Sequence, residues 1–131
     1  MPRENPAASI PSLPIDVYKK IIDDLVSQTP SISGKLIREE GVYSRGEGEF
    51  AKRMNEFITG LSADQRIALE ALLTDERCGA IGDVLAMLTW WITCHGLRLS
   101  VHGEPMPTEL SGMGLHGDYI GRLEGWNWPS T

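Results

Sequence analysis

Apolar residues recur at steps of three and four along most of the chain, which predicts a succession of amphipathic helices. Over residues 15–28, IDVYKKIIDDLVSQ, one face carries Ile15, Tyr18, Ile22, Leu25 and Val26, and Pro14 suits the first turn. Lys19–Asp23 and Lys20–Asp24 are spaced as i,i+4 pairs on the wet side. A short helix is expected within SGKLIREEG, capped by Ser33 and stopped by Gly41, followed by an extended GVYS. The next helix starts near Gly48 and runs to about Gly60, with Phe50, Met54, Phe57, Ile58 and Leu61 sharing a face. Ser62 and Gln65 have the spacing of a capping box and open a helix with Ile67, Ala71 and Leu72 inward, ending near Cys78–Gly79.

Residues 80–95, AIGDVLAMLTWWITCH, form the most apolar stretch. Ile81, Val84, Leu85, Leu88, Trp91 and Ile92 make one stripe, and Ala86, Met87, Trp90 and Cys94 cover much of the opposite side. A helix apolar nearly all round is either central to a fold or spans a membrane. Residues 78–97 are long enough to span, but Asp83 interrupts them and no basic flank follows, so a buried central helix is expected. After it, LRLSV alternates apolar and polar residues as a half-buried strand, and HGEP reads as a turn. Three partners suit that strand: the GVYS piece, residues 106–110, or the same strand of a second copy.

The pattern therefore predicts a mainly α fold. It comprises a compact bundle of four main helices with a short strand or hairpin and a glycine-rich C-terminal segment ending in a short helix. That last helix follows Gly117: Asp118 can cap it, Tyr119, Ile120 and Leu123 make one side apolar, Asp118 and Arg122 are an i,i+4 pair, and Gly125 ends it. Trp126 and Trp128 are then expected to fold back as a clasp on the body. Residues 1–14 hold four of the eight prolines and no apolar run, so they read as an arm rather than a signal peptide. Residues 15–131 read as a single helical domain.

Charge changes the picture in one respect. The net charge is −6 and is unevenly spread: residues 1–60 hold eight Lys/Arg against nine Asp/Glu, and residues 61–131 hold four against nine. An acidic second half repels phosphate backbones, so no nucleic-acid partner is expected, and no membrane partner either. Cys78 and Cys94, if on one helix, lie about 24 Å apart, far beyond disulfide reach. They read as buried reduced thiols of a cytoplasmic protein.

Three kinds of chemistry are suggested by the residues. Gly112, Gly114 and Gly117 spell G-x-G-x-x-G, but two prolines precede the motif, and the 14 residues after it leave no room for the second strand and acidic residue of a dinucleotide fold. Gly46, Gly48 and Ala51 give a weaker match, with Glu47 and Glu49 set against a pyrophosphate. Cys94, His95, His102, Glu104, His116 and Asp118 are metal-ligand types, but their spacing fits no zinc pattern. His102-Gly-Glu104 has only the H-x-E half of the deaminase signature. No nucleophile motif occurs, and Cys94 and the adjacent His95 point about 100° apart on a helix. Asp83 reads as a first-turn carboxylate answering the helix dipole.

No cofactor and no metal are therefore expected. The leading expectation is a non-enzymatic interaction protein that self-associates. The rival is a small-molecule- or metal-binding enzyme whose site lies between the 95–104 turn and residues 112–122. Its candidate residues for a ligand or a partner are His95, His102, His116, Asp118, Arg122, Trp126 and Trp128.

Overall fold

The computed structural model describes residues 13–130. They are mainly helical with one small antiparallel hairpin, as the periodicity predicts. In chain order the elements are α1 (Pro14–Ser27), α2 (Ile32–Glu40), α3 (Glu49–Thr59), α4 (Ala63–His95), β1 (Ser100–Val101), β2 (Glu104–Pro105) and α5 (Gly114–Leu123). The arm expected over residues 1–14 lies outside the described residues as far as residue 12.

Packing divides the chain into two units. One holds the residues up to Ser27 together with those from Ile81 onward, and the other is Gln28–Ala80. The boundary falls inside α4. The two helices expected over 62–78 and 80–95 are one helix of 33 residues. Glycine ends a helix when it turns left-handed, as Gly41 does at φ 71°. Gly79 and Gly82 keep negative φ and stay in the helix, at a cost of about 1 kcal/mol each relative to alanine.

Within Gln28–Ala80, α2 is capped by Ser31 rather than Ser33. The Ser31 hydroxyl oxygen accepts from the Gly34 N–H at 2.9 Å, and the Ser31 N–H donates to Thr74 Oγ1 at 3.0 Å. Gly34 has no side chain to displace Glu70, whose Cα lies 3.1 Å from where a Cβ would stand. Ser62 and Gln65 form the capping box reciprocally, at 2.8 and 3.2 Å. Asn55 ties the segment before α3 to that helix: its Oδ1 accepts from the Tyr43 N–H at 2.7 Å and its Nδ2 donates to the Ser44 carbonyl at 2.9 Å. The buried residues of α3 are Ala51 and Ile58, whereas Phe50 and Phe57, expected inward, are exposed. Phe50 instead packs edge-on against Tyr43. Ile67 and Leu72 of α4 are likewise exposed, and the half-buried side of this stretch is Arg66, Leu69, Glu70, Leu73 and Thr74. Removal of the α2 cap by Ser31→Ala is expected to cost about 1 kcal/mol, read as a lower urea midpoint with unchanged slope.

In the other unit, α1 buries Tyr18 and Ile22, α5 buries Leu115, Asp118 and Tyr119, and α4 contributes Leu85. The hairpin pairs Ser100 with Pro105 and Val101 with Glu104. The predicted strand thus shrinks to two residues, and its partner begins just before the anticipated 106–110 segment, whose Met106 N–H donates to the Leu99 carbonyl at 2.9 Å. His102 and Gly103 both take positive φ, 51° and 77°, the conformation of a two-residue type I′ loop. Pro105 stands at the non-hydrogen-bonded pair between Val101–Glu104 and Leu99–Met106, where the ladder needs no N–H.

The stretch expected at the centre of the fold is not buried. Leu85 alone among the described residues of α4 falls in the buried class. Val84 is 53% exposed, Met87 53%, Trp90 52% and Trp91 46%. Asp83, mid-helix and exposed, has no free helix N–H group to answer. Cys94 is exposed and Cys78 half-buried, both as free thiols, so the expectation of two buried cysteines is corrected. No described helix is long and apolar enough to cross a membrane.

Candidate functional site

Two features of the unit containing α1 and α5 bear on function: the attachment of α5 and its tail, and the exposed face of α4. The attachment centres on Asp118. Its carboxylate is fully buried and accepts from the Leu110 N–H at 3.0 Å, from the Ser111 N–H at 2.7 Å and from the Tyr18 hydroxyl. Asp118 therefore does not cap the helix start, which falls at Gly114. It sits in the second turn of α5 and reaches back to the preceding loop. Burial, then the hydrogen bond to Asp118 and that residue's charge, then the charge of Glu109, hold the Tyr18 hydroxyl pKa well above the ordinary tyrosine value of 10.0.

The glycines of the G-x-G-x-x-G run have a packing role. Gly114, at φ 81°, lets α5 start against Thr89 of α4, whose Cγ2 would lie 2.5 Å from a Cβ there. The Leu115 N–H donates to Thr89 Oγ1 at 3.0 Å. A Cβ on Gly117 would stand 2.4 Å from Met113 Cβ. No phosphate cradle is needed to explain these glycines.

The tail closes over α1 through Asp23. Arg122 grips its carboxylate with two nitrogens, at 2.7 and 3.2 Å, and the Trp128 indole N–H donates to it at 3.1 Å. Arg122 also donates to the Trp126 carbonyl at 2.6 Å and lies 5.1 Å from the centre of the Trp128 ring. Trp128 meets Tyr18 edge-on and packs against Trp126. The expected pairs Lys19–Asp23 and Asp118–Arg122 are thus replaced by Asp23–Arg122, while Lys20–Asp24 forms at 3.2 Å on the surface.

Four of the seven residues singled out from sequence are therefore engaged in holding α5 and the tail to α1: Asp118, Arg122, Trp126 and Trp128. The three histidines share none of these contacts. His116, on α5, is half-buried, and its Nδ1 is enclosed without a hydrogen-bond partner among the described residues. His102 is exposed in the hairpin turn. His95 is exposed at the end of α4, with its ring centre 4.2 Å from that of Trp90 and 4.8 Å from that of Trp91. Among the described residues no three of His, Cys, Asp and Glu gather as a metal-holding group.

A cleft of about 430 Å³ beside the hairpin is lined by residues that include Ile92, Leu97, Leu99, Met106 and Leu110, with Arg98 and Glu109 as its charged members. None of the three histidines lines it. A shallower hollow lies along Gly117 and Gly121 beside Trp126.

The largest feature missed from sequence is the exposed face of α4. Val84, Met87, Trp91 and Cys94 follow one another at steps of three, four and three, with Trp90 alongside. This is the a/d spacing of a helix that packs against another helix. The signal was present in the sequence but was absorbed into a pattern that looked apolar on every side.

These features define a class of protein: a mainly helical chain in which Asp118, Arg122 and the tail tryptophans are taken up in its own packing and which leaves the aromatic face of α4 exposed. The chain belongs to a family of unknown function (DUF6547), whose family model matches residues 11–130. No curated protein and no solved structure matches it.

Proposed function

We propose that this protein is a non-enzymatic interaction protein that self-associates, and that its contact surface is the α4 face carrying Val84, Met87, Trp90 and Trp91. The exposure of these four side chains carries the reading. Half of each leaves on the order of 450 Å² of apolar surface in one patch, within the range of the largest patches found on single chains, which are often functional. His95, edge-on to Trp90 and tilted against Trp91, belongs to the same surface. The free thiols of Cys78 and Cys94 support a reducing, cytoplasmic setting. The engagement of Asp118 and Arg122 within the fold favours this reading over a catalytic site in the 112–122 segment.

Light scattering over a concentration series tests the proposal. The native chain is expected to rise toward twice the chain mass in the micromolar range, and Met87→Glu to remain at the single-chain mass with unchanged helical circular dichroism. Each copy carries a charge of −6, so added salt is expected to strengthen association by screening the bodies from one another. A native chain that stays monomeric at high micromolar concentration overturns it.

A further inference from the structure

We infer that the occupant of the exposed α4 face is the same face of a second copy, packed antiparallel about a two-fold axis. The inference rests on the self-association reading above and adds its geometry. A face with a/d spacing takes a helix as its partner. An isologous contact requires that face to complement itself, and this one does so in one register. Val84 then meets Cys94 of the second copy, Met87 meets Trp91, and the two-fold axis repeats both layers, so all four seam positions are used.

The antiparallel sense follows from size and charge. Parallel pairing would stack Trp91 on Trp91 in the layer next to Cys94 on Cys94, forcing the helices apart at one layer and leaving them loose at the next. Antiparallel pairing sets the two wide layers side by side at the centre and the two narrow ones at the ends. Parallel pairing would also place the exposed Asp83 residues of two acidic chains at the same level. In the antiparallel register Asp83 lies level with His95 of the second copy. The two Asp83 residues are then about 18 Å apart along the axis, beyond the screening length of about 10 Å in ordinary buffer.

The area sets the strength. The patch of about 450 Å² on each copy, widened by Cys94, His95 and half-buried Leu88, reaches only the lower end of specific interfaces, about 1,200 Å² in total. The expected dimer is accordingly a weak, transient one.

Oxidative cross-linking tests the register, with Cys78→Ser as the background. Val84→Cys in that background puts a new thiol at position 84, opposite the native Cys94 of the second copy. The two thiols cannot bridge within one chain, because ten helical residues hold them about 15 Å apart. The expected result is a disulfide-linked dimer forming about tenfold faster in Val84→Cys than in the background carrying Cys94 alone. Equal cross-linking of that background overturns the antiparallel sense, since it requires Cys94 to face Cys94. Absence of cross-linking in both, with light scattering still showing dimers, overturns the seam while leaving self-association standing. A monomer in light scattering overturns both.

Discussion

Replacing Asp118 with alanine is expected to destabilise the protein by about 3–5 kcal/mol, because it strips the partner from three donors in a site with no access to water. The donors left behind are the Leu110 and Ser111 N–H groups and the Tyr18 hydroxyl. The fall in melting temperature should be on the order of 10–20 °C for a chain of this size. Asp118→Asn preserves the shape but turns an amide N–H toward donors, so it should recover only part of the loss. Tyr18→Phe removes a single donor and should cost about 1–2 kcal/mol.

The same contact predicts an alkaline dependence. The folded-state pKa of Tyr18 lies above its unfolded value, so the contribution is fully present below about pH 10 and is lost as pH rises beyond it. Urea unfolding across that range should show a shallower alkaline decline in Tyr18→Phe than in the native chain. An identical decline in the two proteins would refute the role given to this hydroxyl.

The second large effect is at Gly114. Alanine there must adopt φ near 81° and push its Cβ into Thr89, with 2.5 Å available to Cγ2. The backbone strain costs about 1–2 kcal/mol and the overpacking a further 1–3 kcal/mol. Alanine at Gly112 has the same strain at φ 80° but no neighbour within 4 Å, so it should cost only the first amount. Chemical denaturation of the two variants separates the terms; equal losses would mean that close approach to Thr89 contributes nothing.

Much of the local structure was legible. The three-and-four spacing of Tyr18, Ile22 and Leu25 marks α1, the reciprocal chemistry of Ser62 and Gln65 marks the start of α4, and Gly41 and Gly125 mark left-handed turns. What was not legible depended on residues far apart. Nothing near Asp118 in sequence signals that its acceptors will be used by Tyr18 and by a loop it reaches back to. Nothing near Asp23 favours Arg122 over Lys19, until the tail brings Trp128 to the same carboxylate. The break read into α4 came from Gly79, whose conformation is set by the surrounding helix rather than by its own preference. The burial assigned to Trp90, Trp91 and Met87 followed from apolarity alone, which says that a side chain needs covering but not by which chain.

The ties between α1 and the segment from Asp118 to Trp128 join residues 99, 100 and 105 positions apart, whereas those that close Gln28–Ala80 span at most 49, in the hydrogen bonds that Thr74 accepts and Arg77 donates. During synthesis α1 therefore emerges about 100 residues before the groups that cover Tyr18 and Ile22, a delay of roughly 5–20 s at ordinary ribosome speeds. Gln28–Ala80 can order in that interval, and α1 waits with its apolar face open. The nascent chain is thus expected to be most exposed to chaperones, and to misassociation, through α1.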